Sequence, residues 1–240
     1  MLMKLLSIAF LAFAVAAMPA MLPAAGNQGW HSVQRDREPM VTGSGRIIRQ
    51  SRAVGDFRKV ELMGFGDVQI RFGSQPSLTI EADDNLLPYL TSDVSGGTLR
   101  LDTRGSFRTR TSPRVYLTVA DLESVLSSGS GNVTIGGVSN RSLALQSQGS
   151  GDFKARGSTS TLKVEMQGSG NADLRDLRFA SADVGVFGSG NAMIGGGGAI
   201  NARTFGSGNI IVVGKPLSLE MSQDGSGRVI ITDGATTTIQ

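Results

Sequence analysis

The 240-residue chain has no cysteine, one histidine and 5% aromatic residues. The absence of thiols excludes disulfide frameworks, thiol nucleophiles and Cys-ligated metals. With His31 as the sole imidazole, a cluster of histidine ligands is excluded, and so is most histidine-based catalysis unless His31 is itself the base. Proline is scarce too: 7 residues against 33 glycines, which is glycine enrichment without a disorder composition. No apolar run approaches the ~20 residues needed to cross a bilayer as a helix. What is present in abundance is glycine, and its placement carries most of the information.

The first residues have the pattern of an export signal. Lys4 supplies a positive start, Leu5 to Ala17 is apolar, and small residues follow at Ala16, Ala20 and Ala25. The expected signal is 1–25, cleaved between Ala16 and Gly26, with a flexible leader over 26–45. No cysteine follows to carry a lipoprotein anchor, and no barrel-like region follows the body. Beyond Lys4 the charge is nearly balanced, with 22 basic and 20 acidic residues, so nucleic acid is not an expected partner. The densest basic run is Arg100, Arg104, Arg108, Arg110 and Arg114, read as a solvated hairpin or loop, or as a contact for an anionic envelope polymer.

An internal repeat dominates the second half. Gly-Ser-Gly begins at Gly129, Gly149, Gly168, Gly188, Gly206 and Gly225, at spacings of 20, 19, 20, 18 and 19. Its second glycines are Gly131, Gly151, Gly170, Gly190, Gly208 and Gly227, followed by Asn132, Asp152, Asn171, Asn191, Asn209 and Arg228. Upstream of the corners lie Leu143 and Leu145, Leu162 and Val164, Ala182 and Val184, Ile200 and Ala202, then Leu219 and Met221. Downstream lie Val133 and Ile135, Phe153 and Ala155, Ala172 and Leu174, Ala192 and Ile194, Ile210 and Val212, then Val229 and Ile231. Polar residues alternate with most of them. Period-two alternation on both sides of a tight corner predicts two half-buried strands per unit. Units this short cannot bury their apolar face alone, so they stack. The fold predicted is all-β, a parallel β-helix or β-solenoid with Gly-Ser-Gly-Asn corners, six coils about 29 Å long at ~4.8 Å per coil. Glycine is expected to supply the positive φ and close approach of each corner. The body spans 46–240, with an irregular first half over 46–120 and regular coils over 121–240. Gly64-Phe65-Gly66-Asp67, with Val60, Leu62, Val68 and Ile70 at the repeat offsets, reads as an early coil. Gly43-Ser44-Gly45-Arg46 echoes the last corner with partly matching flanks.

The signal, the Gly64 to Asp67 segment, Asp84-Asn85-Leu86-Leu87 and the serial corners at Gly129 to Asn132 and Gly168 to Asn171 together resemble a known bacterial family. It is the putative auto-transporter adhesin, head GIN domain family, a domain of unknown function, and the resemblance covers roughly Val54 to Asp233. The resemblance implies a right-handed β-helix in an envelope or secreted protein, periplasmic or at the cell surface. It brings no catalytic residues.

The chemistry that the residues themselves offer is thin. No Gly-Lys-Ser/Thr follows the glycine corners, so a phosphate loop is not indicated. The acidic nonapeptide pattern of calcium-binding coils is missing, and neither metal nor cofactor is expected. A polysaccharide-cleaving β-helix would need outward carboxylates, and Asp183 and Glu220 share a column two coils apart with Asn201 between them. Cross-coil charge pairing on a solvated face, Lys163 with Asp183 and Lys154 with Asp173, is the better account. Phe187 and Phe205 each precede a corner on adjacent coils; outward, they form an aromatic pair for sugar rings or a protein surface, and otherwise a structural ladder. Outward Met193, Ile211, Val213 and Ile230 make an apolar stripe for packing or oligomer contact. Three readings follow: a non-enzymatic binding or structural module of the envelope, with polysaccharide or surface protein as partner; a polysaccharide-cleaving enzyme; and a self-assembling structural protein.

Overall fold

The structure, a computed structural model, describes residues 40–64, 66–233 and 237–239. The expected signal and the 26–39 part of the expected leader lie outside these residues. Among the described residues the regular structure is all strand apart from one 3-10 turn at Leu87–Tyr89.

The repeat folds into a β-solenoid whose register is the one the spacing implies. Strands before the corners stack in parallel, pairing Leu143, Leu162, Ala182, Ile200 and Leu219 in succession. Strands after them pair Val133, Phe153, Ala172, Ala192, Ile210 and Val229. All of these are buried except Leu219 in the last coil, which is half-exposed. Each fully buried Leu, Ile or Val contributes about 1.5–3 kcal/mol relative to exposure, so repeating the inward pattern repeats the stabilisation. Variable turns absorb the differences in unit length. Val138, Gly157 and Leu177 form a short third side across three coils, whereas Gly195 to Gly198 turns directly into the next strand. Six corners enclose five intervals, so the regular part is about five turns rather than six, with its end corners ~24 Å apart at the usual strand spacing.

The corners hold together in a way the sequence reading only half captures. Of the twelve corner glycines only Gly225 is left-handed, with φ 109°; positive φ is therefore not the general reason for glycine. Close approach is. A Cβ on Gly149, Gly168, Gly188 or Gly206 would overlap the carbonyl oxygen of the corner glycine one coil earlier, and Gly151, Gly170, Gly190 and Gly208 are equally constrained. The serine amides of successive corners donate to those carbonyls, as Ser169 does to Gly149 at 3.1 Å. Beside them runs a side-chain ladder. Asn132 donates to Asp67, Asn171 to Asp152, Asn191 to Asn171 and Asn209 to Asn191, each through both its amide N–H and its Nδ2 at 2.7–3.2 Å. The Asp152 and Arg228 amides continue it onto Asn132 and Asn209.

The first half is where sequence order and stacking order part. Lys59–Met63 and Asp67–Phe72 form the early coil and pair in parallel with Ser124–Ser127 and the Val133 strand. On its other side stack Thr98–Thr103 and Arg114–Val119, also parallel. Antiparallel strands Ile47–Arg52, Ser77–Asp83 and Leu90–Ser95 then close that end. Gly43 to Gly45 is no coil corner. It is held in this closing layer by buried Asp83, which accepts from the Gly45 amide at 2.6 Å and from Thr109 Oγ1, and Val41–Thr42 pairs with Phe107–Arg108. At the opposite end Thr237–Ile239 runs antiparallel to Val229–Thr232, while Ser218–Gln223 pairs on one side only among the described residues.

Candidate functional site

Phe187 and Phe205 stand at the position just before a corner, held by their amides to the Met166 and Val186 carbonyls at 2.7 and 2.9 Å. Their rings are parallel to within 2° with centroids 5.1 Å apart, yet remain 43% and 46% exposed. Ladder and surface pair are thus the same feature. The 5.1 Å separation is close to the ~4.8 Å spacing of adjacent strands, so the rings stack along the coil direction while much of each side chain stays open to solvent. Gly185 gives the Phe187 ring its seat: a Cβ there would collide with the ring edge. The same corner position is occupied by exposed Gln148, Gln167 and Asp224 on neighbouring coils.

Next to the rings the outward face is charged and its charges are paired. Arg203 Nη2 donates to both oxygens of Asp183 at 2.7 and 2.9 Å. Its Nε is buried without a partner. Lys163 Nζ lies 2.8 Å from Glu165, and Gln146 Nε2 donates to the same carboxylate at 2.7 Å. The Lys163 and Gln146 hydrogen bonds hold the Glu165 carboxyl below the usual carboxylate range. Asp173 is lowered chiefly by its bidentate partner Arg175, at 2.9 and 3.0 Å, with Lys154 4.0 Å away on the adjoining coil. Asp183, Asn201 and Glu220 do share a column. Asp183 faces Arg203, however, so the Asp183–Arg203 bridge, missed in the sequence, was encoded only as opposite charges in neighbouring outward columns.

The expected apolar stripe divides. Met193, Ile211 and Ile230 form one column, whereas Val213 lies in another between Gly195 and Thr232; all four are half-buried. More exposed apolar surface sits at the open last coil, with Leu217 at 80% and Met221 at 38%. In the arginine run, Arg100 pairs with Asp102 and Arg114 with Glu81. Among the described residues no three His, Asp or Glu side chains gather as a metal site, and no helix is long and apolar enough to cross a membrane.

A family model described as putative auto-transporter adhesin, head GIN domain, matches residues 56–216. The chain belongs to that family. No curated protein matches this GIN-domain chain. Among solved structures it is similar to a putative adhesin from Bacteroides fragilis, at 22% identity and TM-score 0.67, covering 79% of this chain and 98% of that one. It is also matched by a putative lipid binding protein from Parabacteroides distasonis, at 20% identity and TM-score 0.48, with 80% and 98% covered. A putative adhesin from Parabacteroides merdae matches at 19% identity and TM-score 0.49, with 80% and 98% covered. At these identities the Bacteroides likeness supports the GIN-domain fold alone.

Proposed function

We propose that this GIN-domain chain is an exported, non-enzymatic binding module of the bacterial envelope, and that the Phe187–Phe205 edge contacts carbohydrate. The observation that carries the reading is the stacked ring pair, exposed on an otherwise regular face. Exposed aromatic side chains suit the apolar C–H side of a sugar ring. Gln148, Gln167, Asn201 and Glu220 on the same side offer amide and carboxylate groups to hydroxyls. Export rests on Lys4 and the apolar stretch from Leu5 to Ala17, and adhesin-like relatives agree with a surface or exported role. The enzyme reading is weaker, since the Asp183 carboxylate is committed to Arg203 through both oxygens. A structural, self-assembling role is favoured by a separate observation, the apolar Leu217 and Met221 on the open coil.

The test is retention of the purified chain on immobilised envelope and extracellular polysaccharides, scored together with product release. Retention without products, lost in Phe187→Ala/Phe205→Ala of unchanged melting temperature, is expected. Retention that survives the double substitution overturns the assignment. Reducing-end release abolished by Asp183→Asn would make the protein an enzyme. Concentration-dependent size with no retention would make it an assembly protein.

A further inference from the structure

Away from the aromatic edge, the looser turns of three successive coils form an open groove of about 550 Å³, lined by Gly137, Arg156, Gly157, Arg175, Asp176 and Arg178. We infer that this groove is a second binding site, for the phosphate or carboxylate groups of an anionic polysaccharide chain.

Its construction begins with a bulge. Gly136 pairs with Arg156 and Val138 with Gly157, so Gly137 is an extra residue in its strand, with φ 74°. A bulge bends the strand and interrupts the ladder locally, which opens the floor of the groove. That floor is low because its residues lack side chains: a Cβ on Gly157 would overlap the Val138 backbone, and the Arg156 guanidinium lies over Gly136, with Nε 3.6 Å from where a Cβ would be. The walls are cationic. Arg175 is committed to Asp173, but Arg156 and Arg178 are both exposed and form no ion pair among the described residues. Arg71 extends the row, paired with Gly136 from the coil on the other side. Asp176 is the one carboxylate among the lining residues.

Arg71 and Arg156 stand in one column two coils apart, about 9.6 Å at the usual strand spacing, and Arg178 lies beside Ser158 on the coil after Arg156. A linear polyanion laid across these turns meets one guanidinium after another with bidentate hydrogen bonds. The geometry requires nothing of the ring pair on the corner edge, so the site stands or falls separately from it.

Titration of the full chain carrying Phe187→Ala/Phe205→Ala, so that the ring pair contributes nothing, with sodium polyphosphate, sodium polygalacturonate and neutral dextran tests this. Binding of either polyanion but not dextran is expected, and which polyanion binds identifies phosphate or carboxylate as the recognised group. For two ionic contacts, raising salt from about 50 to about 200 mM should weaken binding about sevenfold, taking the linear-polyanion slope. In that background Arg156→Ala/Arg178→Ala should weaken it about tenfold or more, and Asp176→Asn should tighten it. Failure to bind either polyanion, equal binding of dextran, or full affinity in the double arginine variant overturns the inference. Should that variant melt early, Asp176→Asn decides, and unchanged or weaker affinity there is refutation.

Discussion

The side-chain ladder at the corners makes a sharp prediction at its one internal carboxylate. Asn171 donates its Nδ2 to Asp152 at 3.2 Å and its amide to the same oxygen at 2.7 Å. Asn171→Asp is nearly isosteric, but it removes the Nδ2 donor and sets a second carboxylate against the first. Loss of a hydrogen bond to a charged acceptor costs about 1.5–3 kcal/mol where buried and less here. Repulsion between two charges at that separation adds ~1 kcal/mol in bulk water, the relevant limit for exposed groups. The sum, about 2–3 kcal/mol, corresponds to a melting temperature lower by roughly 5–10 °C for a chain of this size. Asp152 raises the pKa of the new carboxyl above that of the same carboxyl facing an uncharged residue 152, since its charged form is the repelled one; the two Asn191 donors act on it alike in both cases. A group so raised stabilises the fold below its unfolded pKa and loses that contribution as pH rises through its folded value. The deficit of Asn171→Asp against Asp152→Asn/Asn171→Asp, which keeps the new carboxyl but lacks the repulsion, should therefore shrink between about pH 5 and pH 3. The reciprocal change restores the ladder: in Asp152→Asn/Asn171→Asp the amide of residue 171 meets an Asn oxygen, as the Asp152 amide already meets Asn132 at 3.1 Å. Urea unfolding of the wild type, both single variants and the double variant at both pH values completes the cycle. A deficit independent of pH, or no recovery in the double variant, would refute the reasoning.

Other expectations rest on separate features. Gly190→Ala should cost about 1–3 kcal/mol or more, because its Cβ overlaps the Gly170 carbonyl and backbone cannot move aside cheaply; a wild-type melting temperature would contradict close approach as the reason for glycine. Leu162→Asp places a carboxylate at a fully buried position and should abolish cooperative thermal unfolding, as followed by circular dichroism. Glu165, lowered chiefly by its Lys163 hydrogen bond and then by Gln146, contributes stability above the ordinary glutamate pKa and loses it as pH falls through its lowered folded value. Glu165→Gln should thus flatten the acid limb of the stability profile slightly, by a few tenths of a kcal/mol for so exposed a pair; an unaltered limb would show the pair to be inert.

The regular coils were legible because the physics acting on them is local and repeated. Spacings of 18 to 20 residues align Leu143 with Leu162 and Ala182, and the pairings follow that alignment. Alternation marked which side chains turn inward, and the position of Phe187 and Phe205 before successive corners marked them as stacked. The end formed by residues 41–119 was not legible in the same way. Its parallel rungs at Leu99 and Val115 sit on the far side of the Val60–Val68 coil, an order that no periodicity encodes. Which outward charges meet was also hidden: Lys163 stands beside Asp183 in register yet bonds to Glu165, a choice made by side-chain reach rather than column. The corner glycines misled in a different manner. Glycine signals absence of a side chain, and sequence alone does not say whether torsion or proximity demands it.

The position of the early coil bears on the order in which the chain can fold. Lys59 pairs with Ser124, 65 positions on, whereas Leu143 meets Leu162 after 19. Closing the longer loop costs about 1 kcal/mol more in chain entropy, from the logarithm of that ratio. We therefore expect the coils from 133 to 213 to nucleate first, growing toward the early coil, with the antiparallel closing strands added last. Hydrogen exchange during refolding would show it as early protection at Val164 and Val184 and late protection at Ile80; the opposite sequence would rule it out. On this account the closing layer acts as a terminator, halting a stack that could otherwise keep recruiting strands.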